Sequence, residues 1–414
     1  MKLYRNRNFV VLFSDRLFTN FAEGIFYIAA MWSAVSLGKS AIYVGIAGFL
    51  FTLPEVLSVF WGPVIDSTNP KRILITSNLL QLCVFGGLSV LFWVKLVNLW
   101  IVLSAIFVSS LISEFTYPLE DVLLPKIVSE NQLVTANSWM AISHKGAELL
   151  SKGLTGILIS AFSLSVMYQL DFVAFMIPLF YLYLLKLESF RVSAPDKFDW
   201  NGYKQEFMEG VRFLRLPLMM WLVVPLIFLN FLLSIVLVNL PFLALQVGHG
   251  ASSYGLMLAA LAVGYLIGAA VINRLSNKFT VSKIMALCFV LSGLSWASVI
   301  FVRHNEWFVY ACLLLSDLFI GALNVVFTVL FQTLPSKEMM GRVSTAIGSF
   351  VTVAMPLGAL VGGVVGVSVS ATTITTFFGL GLVTTGILYL FSKQIKKLPP
   401  VDHVNSDFLC QSQP

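Results

Sequence analysis

The sequence predicts an all-α membrane protein: twelve transmembrane helices in two six-helix pseudo-repeats, with both termini cytoplasmic. Three observations carry that reading. Of 414 residues, 58% are hydrophobic and 11% charged, and the mean hydropathy is +0.89. A soluble protein runs at about 45–50% and about 25%, so the surplus apolar surface requires lipid. A helix needs about 20 residues to cross a hydrocarbon layer about 30 Å thick. Twelve apolar segments approach or exceed that length: 10–37, 41–65, 73–94, 98–117, 137–162, 166–187, 218–245, 252–273, 282–302, 307–331, 343–366 and 372–392. The cations, finally, gather on alternate connections, as the positive-inside bias requires.

Each segment has its own signature. The first follows a basic stretch, Met1 to Arg7, but it is longer than a leader's apolar run and carries Asp15, Arg16 and Glu23, so it reads as a retained span. The second contains Pro54 and Glu55 and ends in GPVIDSTNPKR, residues 62–72, a tight inner-face turn before the third segment starts at Ile73. The fifth carries the charged stretch from His144 to Lys152, and the sixth is interrupted by Pro178. The longest polar connection, Glu188 to Pro217, then divides the chain into one half over 1–190, a cytoplasmic linker over 191–217 and a second half over 218–394. In the second half Pro225 and Pro356 supply bends, Gly264-xxx-Gly268 and Gly358-xxx-Gly362 let helices approach closely, and Asp317 lies deep in the tenth segment. The tail, 395–414, is polar enough to be disordered.

With the N-terminus inside, the inner connections hold Lys2, Arg5, Arg7, Lys71, Arg72, Lys126, the group from Lys186 to Arg215, Arg274, Lys278, Lys283, Lys337, Arg342, Lys393, Lys396 and Lys397. The outer ones hold Lys39, Lys95 and Arg303. The net charge of +6 and pI near 9.1 follow from this topology and an anionic inner leaflet, so no nucleic-acid partner is called for. Cys83, Cys288, Cys312 and Cys410 are far apart and the four histidines are scattered, which encodes neither a disulfide framework nor a metal site. The halves match weakly at a shift of about 207 residues, Asp66 on Asn273, Lys71 on Lys278, Ser129 on Ser336 and Gly156 on Gly363, as parallel repeats would.

Several stretches carry a family resemblance. In GPVIDSTNPKR, Gly62, Asp66, Lys71 and Arg72 occupy the glycine, acid and basic positions of a cytoplasmic loop motif, with Ser67 where a basic residue usually follows the acid. That loop resembles the one of the major facilitator superfamily. Phe331-Gln332, Gly341-Arg342-Val343 and Ala354-Met355-Pro356-Leu357-Gly358 resemble the tenth-to-eleventh helix connection of its macrolide-efflux branch, and LLPKIVSENQLVTANS, residues 123–138, resembles the first-half counterpart. MEGVRFLR in the linker fits the same branch. The resemblance implies two halves around a midplane cavity and alternating access in a bacterial cytoplasmic membrane. It implies proton-coupled efflux of an amphipathic, drug-like molecule without a cofactor, by a protein that is monomeric. Gly62, Asp66, Lys71, Arg72, Gly341 and Arg342 would serve as gating positions.

The charges inside the spans carry the chemistry, because one at membrane depth costs at least about 2.5–3.5 kcal/mol and needs protein or water around it. Asp15, Arg16 and Glu23 share roughly one helical face. Glu23, Asp15, Glu55 and Asp317 are the candidates for loading and unloading a proton. Lys145, Glu148 and Lys152 stack at spacings of three and four. They read either as a structural ion pair or as a contact for substrate or proton, and with Arg16 they would supply counter-charge. Their cations favour an anionic or zwitterionic substrate. No nucleotide loop, nucleophile elbow or HExxH occurs, so no catalysis is expected. Import of a small anionic or peptide-like solute with protons, and a non-transporting sensor or immunity protein on the same fold, remain open alternatives.

Overall fold

The computed structural model describes residues 3–57, 70–184, 200–248, 250–272, 279–336 and 339–400, and they are helical almost throughout. After a short 3-10 turn at Leu3–Arg5 come α1 (Arg7–Gly38), α2 (Ala41–Leu57), α3 (Pro70–Trp93), α4 (Leu99–Ile127), α5 (Glu130–Ala161) and α6 (Leu164–Leu184). Then follow α7 (Trp200–Leu214), α8 (Pro217–Val247), α9 (Ala251–Ile272), α10 (Val281–Val302), α11 (Glu306–Thr333), α12 (Met340–Ser368), α13 (Ala371–Phe391) and α14 (Lys393–Lys396). Asparagines start three of these helices: the side chains of Asn6, Asn98 and Asn305 accept from the backbone N–H of Phe9, Ile101 and Trp307 at 3.2, 3.0 and 3.1 Å. Lys39 ends α1 in the left-handed region (φ 54°), donating its N–H to the Val35 carbonyl at 3.0 Å.

Among the described residues nine helices, α1, α3, α6 and α8 to α13, are long and apolar enough to cross a membrane. The other three long ones are the two shorter apolar stretches in α2 and the first half of α4, and the charge-bearing α5. Over its described residues every predicted segment falls on a helix, while 58–65, 185–187 and 273 lie outside them; several boundaries differ. The fourth was expected to end at 117; α4 continues to Ile127, which brings Glu120 onto the same helix as Glu114. The fifth begins at Glu130 rather than 137. The linker contains a folded helix, α7. At the C-terminus Ile395 and Leu398 are buried and Pro400 bridges Thr280, so order extends to Pro400 and 401–414 lie outside the described residues.

The chain divides into two compact units, Met1–Phe198 with His249–Leu256, and Asp199–Gly248 with Met257–Pro414. In the first, α1 is the central helix and packs on α5, α6, α2 and α4, while α3 packs on α6 and α4. Its core is aromatic: Phe26 meets Phe85 at 4.7 Å and Phe85 meets Phe175 at 4.8 Å, both tilted, and Phe26 meets Tyr168 edge-on at 6.3 Å between centroids. In the second, α10 packs on α13, α8 on α12 and α11 on α10. Here the small-residue motifs act as expected. A Cβ at Gly264 or Gly268 would stand 2.1 or 1.7 Å from the carbonyl oxygens of Leu314 and Leu318, and one at Gly358 2.3 Å from that of Phe231.

Candidate functional site

The ionisable groups of the first unit fall into a sealed set and an accessible set. Asp15, Arg16 and Glu120 are 0%, 7% and 1% exposed. The Arg16 guanidinium donates through Nε to Glu120 Oε2, tying α1 to α4 across 104 residues of sequence. Asp15 lies against the same glutamate, and neither of its oxygens meets a donor among the described residues. Two carboxylates cannot hydrogen-bond each other, so a proton held between them is what can join them. Asn20 closes this layer by donating to the Arg16 carbonyl at 2.6 Å.

Glu23 lies two turns further along α1, about 12 Å from Asp15. It is half-buried and accepts from Ser113 Oγ on α4 at 2.5 Å. Ser113 in turn accepts from Gln81 Nε2 on α3 at 3.0 Å, and Ser109 Oγ donates to Gln81 Oε1 at 2.8 Å. Three helices thus converge on one carboxyl group. Glu114, half-buried on α4, is within electrostatic reach of both Glu23 and Glu55. Glu55 is exposed. Tyr27 follows Glu23 by one turn on α1, Phe51 precedes Glu55 by one turn on α2, and their rings meet at 4.9 Å. The result is a half-open setting of three carboxyl groups beside an aromatic pair.

A further acid, Asp171 on α6, is completely buried, and both its oxygens lack a partner among the described residues. It stands within electrostatic reach of Glu23 and of Tyr168, whose hydroxyl hydrogen-bonds Ser33 at 3.0 Å.

Of the residues singled out from sequence, Asp15 and Arg16 on α1 fall in the sealed layer, and Glu23 on α1 and Glu55 on α2 in the half-open one. Asp317 is on α11 in the second unit, half-buried and without an ionic or hydrogen-bond partner among the described residues. Lys145, Glu148 and Lys152 are on α5, but their side chains lie outside the described residues, as do Gly62 and Asp66 entirely. Lys71 and Arg72 open α3. Gly341 and Arg342 stand in the first turn of α12, where Arg342 binds Glu209 and Glu206 of α7. Sequence reasoning passed over Glu114, Glu120 and Asp171. The cost of a charge at membrane depth, applied to every acid in an apolar run, would have flagged Glu114 and Asp171. No group of metal ligands occurs among the described residues.

Comparisons with known proteins agree with this architecture. The family described as transmembrane secretion effector, of MFS type, matches residues 2–411. The uncharacterized MFS-type transporter YfiS of Bacillus subtilis (strain 168) is 23% identical over 95% of both chains. Macrolide efflux protein A of Streptococcus pyogenes is 21% identical over 86% of this chain and 89% of its own. Among solved structures, the nucleoside transporter NupG superimposes with a TM-score of 0.72 at 13% identity, covering 94% of this chain and 98% of its own. At that identity the likeness speaks for the fold. With its helical units, its apolar spans and a family match along nearly its whole length, the chain belongs to the transmembrane secretion effectors of the major facilitator superfamily.

Proposed function

We propose that this protein is a proton-coupled exporter of an amphipathic small molecule that carries a protonated amine. In this reading twelve spans form two six-helix halves with both termini cytoplasmic, and the protein works by alternating access in the bacterial cytoplasmic membrane. The observation that carries it is the setting of Glu23, Glu55 and Glu114 beside the Tyr27–Phe51 ring pair. Carboxylates attract an ammonium group, and aromatic faces accept both the cation and the apolar body attached to it. A carboxylate can hold a proton or the substrate's cation, not both. Competition for one group makes the exchange obligatory: a proton arriving from outside displaces the substrate, and its release inside readies the site for the next.

The sequence, with Lys145 and Lys152, leaned towards an anionic or zwitterionic substrate. Glu120 is paired with Arg16 and Asp171 is sealed, whereas Glu114 adds a third half-open carboxyl beside Glu23 and Glu55 and favours a cation. The kinship with a macrolide efflux protein points the same way, since an amine-bearing macrolide is an amphipathic cation.

The test uses everted membrane vesicles with a radiolabelled amine-bearing macrolide. Vesicles acidified inside should accumulate the label, and Glu23→Gln should abolish accumulation while leaving the amount of folded protein unchanged. Accumulation by right-side-out vesicles driven by an inward proton gradient would sink the export reading.

A further inference from the structure

We infer that Ser113 is a positioning residue that reads the protonation of Glu23 and passes it to the backbone of α4 through a rotation of its hydroxyl hydrogen. The inference rests on the reading of Glu23 as a proton carrier, and extends it by naming what responds to the proton.

Counting donors against acceptors fixes the possibilities. The Gln81 amide is fully committed: Oε1 accepts from Ser109 Oγ at 2.8 Å, and Nε2 donates to the Ser109 carbonyl and to Ser113 Oγ, each at 3.0 Å. Gln81 and Ser109 are buried, so water does not compete for these contacts. Ser113 Oγ has one hydrogen and two lone pairs. One lone pair takes the Gln81 N–H. The hydrogen has two acceptors within reach, Glu23 Oε1 at 2.5 Å and the Ser109 carbonyl one turn back at 3.2 Å.

Two arrangements satisfy the Ser113 hydroxyl. With Glu23 ionised, the hydroxyl hydrogen points at the carboxylate, a charge-assisted bond. With Glu23 protonated, its own O–H donates to the free lone pair of Ser113, and the serine hydrogen turns to the Ser109 carbonyl. No heavy atom has to leave its place. The proton on Glu23 is thereby registered as a stronger or weaker bond to a carbonyl of α4, on the helix that also carries Glu114 and Glu120. What reports a proton also tunes its affinity, because coupling between two sites is reciprocal.

Other charges act on Glu23 as well. Asp15 and Arg16 lie on its own helix, Glu55 on α2, Glu114 and Glu120 on α4, and Asp171 with Tyr168 on α6, while α5 contributes Lys145, Glu148 and Lys152 to the same unit. None of them is altered by substituting Ser113, so the serine's own contribution is separable.

The experiment is an infrared pH titration of the purified full-length protein in detergent, following carboxyl C=O bands, with no transported ligand required. Wild-type protein should show a band that is missing in Glu23→Gln. Ser113→Ala should shift that band's frequency and move its titration midpoint up by about one pH unit, the weight of a lost hydrogen bond to a charged group. Ser113→Thr, which keeps the hydroxyl, should restore both. A Ser113→Ala protein that melts earlier but titrates with the wild-type midpoint would show a merely structural serine and overturn the inference while leaving proton coupling at Glu23 intact. If no band distinguishes wild type from Glu23→Gln at any pH, proton loading at Glu23 falls, and this inference with it.

Discussion

In the first unit, helices meet through polar side chains that include charges: Arg16 on Glu120, Ser113 on Glu23, Gln81 on Ser109. In the second, they meet where glycine lets backbones touch, Gly264 and Gly268 of α9 on α11, Gly293 of α10 on Gly379 of α13. Among its spans the interhelical hydrogen bonds join neutral groups, such as Ser234 to the Met355 carbonyl at 2.7 Å and Asn239 to that of Gly362 at 2.9 Å, and the charged contact, Arg342 with Glu209 and Glu206, lies at the half-exposed seam with α7. Inside helices α8 to α13 the charged side chains are Lys283, Glu306 and Arg342, each in a first turn, and Asp317. Both are recognised solutions to helix association without a hydrophobic driving force. The difference divides the labour. Close backbone contact makes a stiff unit with little chemistry, whereas the polar unit can change its bonding when a proton arrives.

The sharpest way to break this contrast is at the buried ion pair. Arg16→Met leaves Glu120 buried without its counter-charge and should cost about 3–5 kcal/mol, read as thermal unfolding of the purified protein in detergent. Replacing both partners by methionine should recover most of that loss. A single substitution costing under about 1 kcal/mol, well below the range for a broken buried pair, would mean that the pair is not what ties α1 to α4.

The opposite sign is expected in the second unit. Asp317 has no partner among the described residues, so Asp317→Leu should stabilise the protein, by up to about 2.5–3.5 kcal/mol if the full insertion cost is relieved. Coupled accumulation of the macrolide should survive it. Loss of coupling instead would place part of the proton chemistry in the second unit and dissolve the division of labour.

Smaller effects test the packing itself. Gly268→Ala puts a Cβ 1.7 Å from the Leu318 oxygen and should cost about 1–3 kcal/mol. Gly87→Ala, on α3 with nothing within 4 Å of the added carbon, should be neutral or stabilising by up to about 1 kcal/mol. Equal outcomes at the two positions would remove the evidence for glycine-mediated contact.

How far the sequence already showed this depends on the range of the signal. Hydropathy over about 20 residues located the spans among the described residues, because each span solves its own backbone hydrogen bonding. The acid and base of the central pair are 104 residues apart, and no local period links them. The expected span end at 117 also left Glu120 outside the span, and α4 runs on through Pro118, Glu120 and Asp121. Asp171 stands alone in an apolar run of sequence, and its closeness to Glu23 arises only when α6 packs on α1. Arg342 was legible as a motif residue, but its partners Glu206 and Glu209 sat in a stretch read as linker.

That arginine supplies the mildest and most informative test. Arg342 binds Glu209 through one terminal nitrogen and Glu206 through the other at 3.3 Å, the same chemistry as Arg16 with Glu120. Its side chain is 34% exposed and that of Glu209 33%, so water and salt weaken the attraction and the pair should be worth about 0.2–1 kcal/mol. What holds α7 to α12 is apolar: Phe207, Val211 and Leu214 pack with Val343, Ala346 and Ile347. Gly210 adds a close approach, since a Cβ there would stand 2.3 Å from the Arg342 carbonyl oxygen. Arg342→Met should therefore lower stability by less than about 1 kcal/mol, and the deficit should vanish near 1 M salt, where screening acts over about 3 Å. The Arg16→Met deficit should persist in the same salt. Hydrogen exchange along α7 should stay slow in the Arg342 variant. Exchange that becomes fast would show the ion pair, rather than the apolar seam, to be the clasp, and would make salt a control on the linker helix.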